Sequence, residues 1–441
     1  MNSYFDDKYL DVEQALFPSR ENAPKNDTKT NYYAVRDIQS VPDYLHAITD
    51  ILSNRYIIGL DDHKITNFEN AFTLPDGLKF KDMLNRGIFF RGESALYKYQ
   101  MPGLFRNLGY VEHENDLIDE IEITSAEKLE NRSLFDKLTI MQHYGSPTRI
   151  LDITSNALIA LYFAVSSDFN NDGYIYLLSA IQTEHDIKIK TPNDLEVIVK
   201  SVIGKLTFSQ KELLSRCFDQ YRDSDCDIRE KISRIHVNDK KRDKIKNAVD
   251  KLYLLVEKEM KVTNVTIPIN YMFGVNFVKP YRIDPRVEHQ SSAFLIFGLE
   301  KLDVAQEITE ERIQKDDELQ DLNNLYKRAV EEEDYAIGGT AFKSSSQIKE
   351  RKKEIFENSY ISQIQEYVNH QVYRLSILYS PTFGDRRSGQ ARLRIKSKYK
   401  RQILDELALE GINGSMIYPD ITHKIENIRN ENSYIEYDDG N

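Results

Sequence analysis

The chain has 441 residues and a formal charge of −12 at pH 7, enough length for two domains or for one domain with large insertions. Its 40 % hydrophobic and 29 % charged residues are those of a soluble globular protein with ample material for a core. The acidic balance excludes a protein that coats nucleic acid with its whole surface, and the sequence holds no run of roughly 18 apolar residues that would span a membrane. Two cysteines, Cys217 and Cys226, exclude a disulfide framework and a four-thiolate zinc site. With few cysteines, and with no basic segment followed by an apolar stretch in MNSYFDDKYLDVEQ, the expected location is cytoplasmic.

Residues 1–34 read as a mobile arm, because PSRENAPKNDTKTN is polar and holds two prolines. SVPDYLHAITDIL predicts a helix that starts at Ser40 with Asp43 in its first turn and Leu45, Ile48 and Ile51 on one face. RGIFFRGES predicts a short buried strand ending in a turn at Arg91-Gly92. A helix dense in Glu and Asp is expected from about Glu114 to Leu138. In LTIMQHYGSPTRILDITSNALIALYFAVSSD, HYGSP reads as a turn and RILDIT as a strand. SNALIALYFAV reads as a helix apolar almost all round, hence buried. GYIYLLSA is the next strand.

Residues 181–262 are charged and predict a helical insertion. NVTIPINYMFGVNFVKP and SSAFLIFGLE return to strand patterns, and period-two alternation places Arg286, Glu288 and Gln290 on one face of a strand. Residues 300–375 predict a second helical insertion, split at IGGTAFKSSS. ARLRIKSKYKRQILDELALEGINGSMIYPDI reads as strand, helix, turn and strand, and residues 431–441 as an acidic tail. The strands come in irregular groups, not in strict βαβ alternation. The expected class is therefore α+β, with a mixed, mostly antiparallel sheet core.

Several residues carry chemistry. Arg91 ends an apolar strand next to Gly92, where a guanidinium can grip phosphate or carboxylate bidentately; equally it can pair with Asp152 or Glu93. Thr154 or Ser155 can cap the buried helix, whose N-terminus suits an anion. Asp152 is expected to fix Arg149 or Arg91, or to orient His143. His143 beside Asp152 is placed for general-base work, or for a plain backbone hydrogen bond. No metal-ligand spacing, phosphate-binding loop, dinucleotide fingerprint or nucleophile elbow occurs.

Two segments, RGIFFRGES and MQHYGSPTRILDITSNALIALYFA, resemble the FRG domain family of bacterial and phage proteins. The Phe-Arg-Gly motif falls on Phe90-Arg91-Gly92, and the motif Q-H-x-G-x-P-T-R-L-L-D-W-T on Gln142 to Thr154. RVEHQSSAF and KYKRQILDELALEGINGSMIYPD are similar to two further family segments. Together the resemblance covers about 35–180, 265–300 and 388–425, and implies one FRG domain over 35–430 with the two helical insertions. Ile153 replaces the usual Trp, and Ser292 the usual Gly, which implies a different turn.

The order of these parts also resembles ADP-ribosyltransferases of the Arg–Ser–Glu type. That likeness implies NAD as substrate, with Arg91, Gly92, Gln142, Thr148, Arg149, Asp152 and Ser155 holding it. Arg91, His143, Thr154, Glu288 and Gln290 form the catalytic set, Glu288 supplying the carboxylate because Gln290 stands where the pattern has Glu. The implied roles are NAD cleavage or ADP-ribosyl transfer to a protein or nucleic-acid acceptor, in a toxin or phage-defence effector. A second expectation rests on charge alone. Arg386, Arg387, Arg392, Arg394, Lys396 and Lys398 lie in a stretch without acidic residues, a landing strand for nucleic acid in a non-catalytic module or a solvated face that balances the acidic helices.

Overall fold

A computed structural model describes residues 31–52, 58–61, 64–67, 87–97, 100–180, 189–232, 234–235, 237–281, 285–300, 316–331, 340–375 and 389–418. Its centre is a seven-stranded sheet with the order β1-β9-β6-β4-β5-β8-β7. The strands are β1 (Asn31–Ile38), β4 (Ile88–Glu93), β5 (Ile150–Thr154), β6 (Gly173–Ser179), β7 (Val275–Val278), β8 (Ser292–Phe297) and β9 (Gly389–Ile395); β2 (Ile58–Asp61) and β3 (Lys64–Asn67) form a separate hairpin. β1 runs parallel to β9, and every other neighbour in the large sheet is antiparallel. The fold is thus α+β with a mixed, mostly antiparallel sheet, as expected.

Three hydrophobic clusters flank the sheet. On one face of β4, β6 and β9, the side chains of Ile88, Phe90, Ile175, Leu177, Leu393 and Ile395 meet three helices. These are α1 (Val41–Leu52), α4 (Ala157–Val165) and α11 (Lys400–Leu409). On the other face Phe89, Leu151, Ile153, Leu178 and Leu295 lie under Tyr360, Ile364, Val368 and Val372 of the long α10 (Thr340–Arg374). The third cluster joins Ile150, Phe294 and Ile296 to α3 (Leu134–His143), α5 (Leu195–Ile203), α6 (Phe208–Phe218) and α7 (Asp239–Met260). The helices expected as a first insertion therefore share their core with the sheet.

β4 takes its place from two glycines. A Cβ on Gly92 would sit 1.8 Å from the Ala160 carbonyl oxygen, and one on Gly173 would sit 2.2 Å from that of Ala164. Only glycine lets α4 lie this close to both strands. The glycine of the Phe-Arg-Gly motif thus seats a helix.

The structure corrects several expectations. β1 opens at Asn31, inside the segment assigned to the arm; residues 1–30 lie outside the described residues, as does the acidic tail. In α1 the Asp43 carboxylate accepts from the Gln39 amide at 3.1 Å and Ser40 Oγ accepts from the Asp43 amide at 3.3 Å, as a start at Ser40 requires. Its buried face, however, is Val41, Tyr44, Ala47 and Ile48, and Leu45 is exposed. The expected 114–138 helix is broken into α2 (Glu114–Thr124), a turn at Ala126–Leu129 and α3. Arg286 and Glu288 lie in the short helix α8 (Pro285–His289), not on a strand. Among the described residues the second helical segment is two helices as expected, α9 (Asp317–Glu331) and α10, but the Ser-rich FKSSS lies inside α10, and the last expected strand is the turn of helix α12 (Gly414–Ile417).

Candidate functional site

β4 and β5 pair only at Phe90 and Thr154, whereas β4 pairs with β6 along its whole length. Beyond that point the two strands part, and Arg91 fills the gap. Its Nε donates to Glu93 Oε1 at 2.9 Å and its Nη1 to the Asp152 carbonyl at 2.8 Å. Nη2 has no partner among the described residues, and the side chain is 15 % exposed. Both expected partners of Arg91 are thus present, Glu93 as an ion pair and Asp152 through its backbone.

The motif from Gln142 to Ser155 folds around this point. Thr148 Oγ1 donates to Gln142 Oε1 at 2.5 Å, and Gln142 Nε2 donates in turn to the Asp152 carboxylate. Asp152 is exposed. Thr154 Oγ1 donates to the Gln290 carbonyl at 2.8 Å and accepts from the Asn156 amide at 3.0 Å. The cap of α4 is Asn156, whose side chain accepts from the Leu158 amide at 2.9 Å; neither Thr154 nor Ser155 caps it. Ser155 is exposed, and its Oγ donates to the Ser291 carbonyl at 3.3 Å. That carbonyl is aimed by a left-handed turn at Ser291, with φ of 47°. The special conformation thus falls one residue before Ser292.

α8 and the C-terminal turn close the other side. Arg286 Nη1 donates to the His143 carbonyl at 3.0 Å, and its guanidinium lies 4.6 Å above the Tyr418 ring. Burial pushes the Tyr418 phenol up from its ordinary value, with Arg286 acting against the shift and the charge on Asp152 adding to it. Tyr162 is pushed up to about 12 by burial and by Tyr418. Gln290 is buried, and its Nε2 donates to the Ile417 carbonyl at 3.2 Å; His289 Nδ1 lies 2.9 Å from the Met416 carbonyl. Glu288 is exposed on α8. Tyr418 was not in the expected site, and Arg286 was expected only as a companion of Glu288 and Gln290 on a strand face. The closing segment GSMIYPD, likened above to a family segment and far from the rest in sequence, was the available signal.

Arg149 stands apart. It is fully buried, with Nε donating to Glu114 Oε1 at 2.7 Å, Nη2 to the other Glu114 oxygen, and Nη1 to the Phe297 and Gly298 carbonyls at 2.9 and 3.2 Å. It ties α2 to β8 and makes no contact with Arg91 among its hydrogen bonds and ion pairs. The basic stretch is not one surface strip either. β9 lies inside the sheet between β1 and β6. Lys400 is buried, donating to the Ser94, Ser167 and Asp168 carbonyls at 2.6, 2.9 and 3.0 Å. Lys396 is half-buried, Lys398 is exposed, and Arg386 and Arg387 lie outside the described residues. Among the described residues no group of three or more His, Cys, Asp or Glu side chains is placed to hold a metal, and no helix is long and apolar enough to cross a membrane.

The FRG domain family model matches residues 86–173, from just before β4 to the first residue of β6. The chain therefore carries an FRG domain, and the match takes in Arg91, Gly92 and the whole 142–155 motif. No curated protein and no solved structure matches the chain.

Proposed function

We propose that the gap between β4 and β5 binds NAD, and that the FRG domain cleaves its N-glycosidic bond by hydrolysis or by ADP-ribosyl transfer. The Nη2 of Arg91, without a hydrogen-bond partner among the described residues, carries this reading. A guanidinium fixed on two sides and free on the third is preorganised for a pyrophosphate. Ser155, exposed beside it, offers a hydroxyl to the nicotinamide ribose. Loss of nicotinamide builds positive charge on that ribose, which a carboxylate stabilises as in glycoside hydrolysis. Asp152 and Glu288 are the exposed carboxylates near the gap, and Asp152 is already oriented by Gln142. Draining NAD or modifying an acceptor fits a toxin or phage-defence effector.

The test is nicotinamide release from NAD by wild type, Arg91→Ala, Asp152→Asn and Glu288→Gln. Wild type releases nicotinamide, Arg91→Ala does not, and the silent carboxylate variant names the catalytic group. A wild type that releases none, even with cell lysate or nucleic acid as acceptor, overturns the reading. The alternative, a nucleic-acid module built on Arg392, Arg394 and their neighbours, is weakened by the position of β9 inside the sheet.

A further inference from the structure

The face of the sheet that α10 covers changes character along its strands. Near Phe89 and Leu178 it is apolar. Further along β4 and β6 it becomes polar. Arg91 lies opposite Tyr176, Glu93 opposite Tyr174, and Tyr174 opposite Arg394. Directly paired residues project to the same side, so these five share one face. It is no solvent face, since Tyr176 is 1 % and Glu93 5 % exposed. Within it Glu93 Oε2 is buried with no hydrogen-bond partner among the described residues, while Oε1 takes the Arg91 Nε. A buried carboxylate oxygen left without a donor is costly, and native proteins rarely keep one without a function.

We infer that Glu93 accepts hydrogen bonds from the 2′- and 3′-hydroxyls of the adenosine ribose, an inference that rests on the NAD reading above. The missing partner must be a donor. Arg91 is already balanced by Glu93, and Arg394 stands in register with Asp37 as well as with Tyr174, so the charges on this face are matched and a neutral hydroxyl suits the missing donor better than an ammonium group. Position supplies the ribose. Thr154 is paired with Phe90, so Ser155 lies toward the start of β4, Arg91 in its middle and Glu93 at its end. With the pyrophosphate on Arg91 and the nicotinamide ribose at Ser155, the other ribose falls at Glu93.

Calorimetric titration of the full chain with ADP and with 2′,3′-dideoxy-ADP tests this, using wild type, Glu93→Gln and Arg91→Ala. Thermal unfolding of Glu93→Gln checks that it is folded. Wild type prefers ADP by about tenfold or more, the range for hydrogen bonds to a charged group. Glu93→Gln loses the preference while still binding the dideoxy ligand, and Arg91→Ala weakens both. If wild type binds both equally, or Glu93→Gln keeps the preference, the role of Glu93 is overturned and the NAD reading stands. If wild type binds neither ligand, the nucleotide reading fails and takes this role with it.

Discussion

Arg91 serves the fold and the candidate site with different atoms: Nε and Nη1 hold Glu93 and the Asp152 carbonyl, and Nη2 has no hydrogen-bond partner among the described residues. Arg91→Lys keeps the charge beside Glu93 but loses the planar fork. That variant is expected to stay within about 1–2 kcal/mol of wild-type stability in chemical denaturation, while its affinity for ADP falls at least tenfold. A parallel loss of stability and affinity would instead make Arg91 a structural residue only. Much of the site was legible at this scale, because Arg91, Gln142, Thr148, Asp152, Thr154 and Ser155 do converge. Arg149 was not, since nothing in Thr148-Arg149-Ile150 says which of three successive buried side chains turns into the core. Tyr418 was missed because its place beside Arg286 depends on tertiary contact across more than a hundred residues.

At the scale of elements, α4 is the keystone of the FRG motif, pressed against Gly92 and Gly173 through its own backbone. Gly92→Ala and Gly173→Ala each drive a Cβ into a carbonyl that cannot move unless the helix lifts. Each is expected to cost about 3 kcal/mol or more in urea denaturation. The double variant should cost less than the sum, because one displacement of α4 relieves both clashes; full additivity would mean that the two contacts are independent. The sequence showed α4 plainly, for a nine-residue run apolar on every side can only be buried. α8 was misread because five residues are too few to separate a period of two from a period of 3.6. The break found within the expected 114–138 helix was hidden for a different reason. SAEKLENRS is helix-favouring in composition, and the chain leaves the helix there through Asn131 at φ of 60°.

Across the whole molecule, the helices of residues 195–260 and the central sheet are joined by a buried ion cluster. Glu114 of α2 meets Arg149 at the start of β5 and Lys211 of α6, the latter at 2.8 Å. Burial alone would raise the Glu114 carboxyl, but Arg149 and Lys211 hold it down at about 2. The sign of the pH effect follows. The unfolded chain takes up this proton near the ordinary carboxylate value and the folded chain only near 2, so the stabilisation is complete above about pH 4.5 and is lost as pH falls toward 2. Glu114→Gln leaves two buried cations without their counter-charge and is expected to cost about 3–5 kcal/mol at pH 7. The gap between wild type and variant should then narrow as pH is lowered through that window. Because α5, α6 and α7 share a core with β5 and β8, the loss should appear as one cooperative transition. Hydrogen exchange in α7 and in β5 would then rise together in the variant. If α7 alone became exposed, with β5 still protected, those helices would be a separate folding unit and the ion cluster only a surface between two bodies.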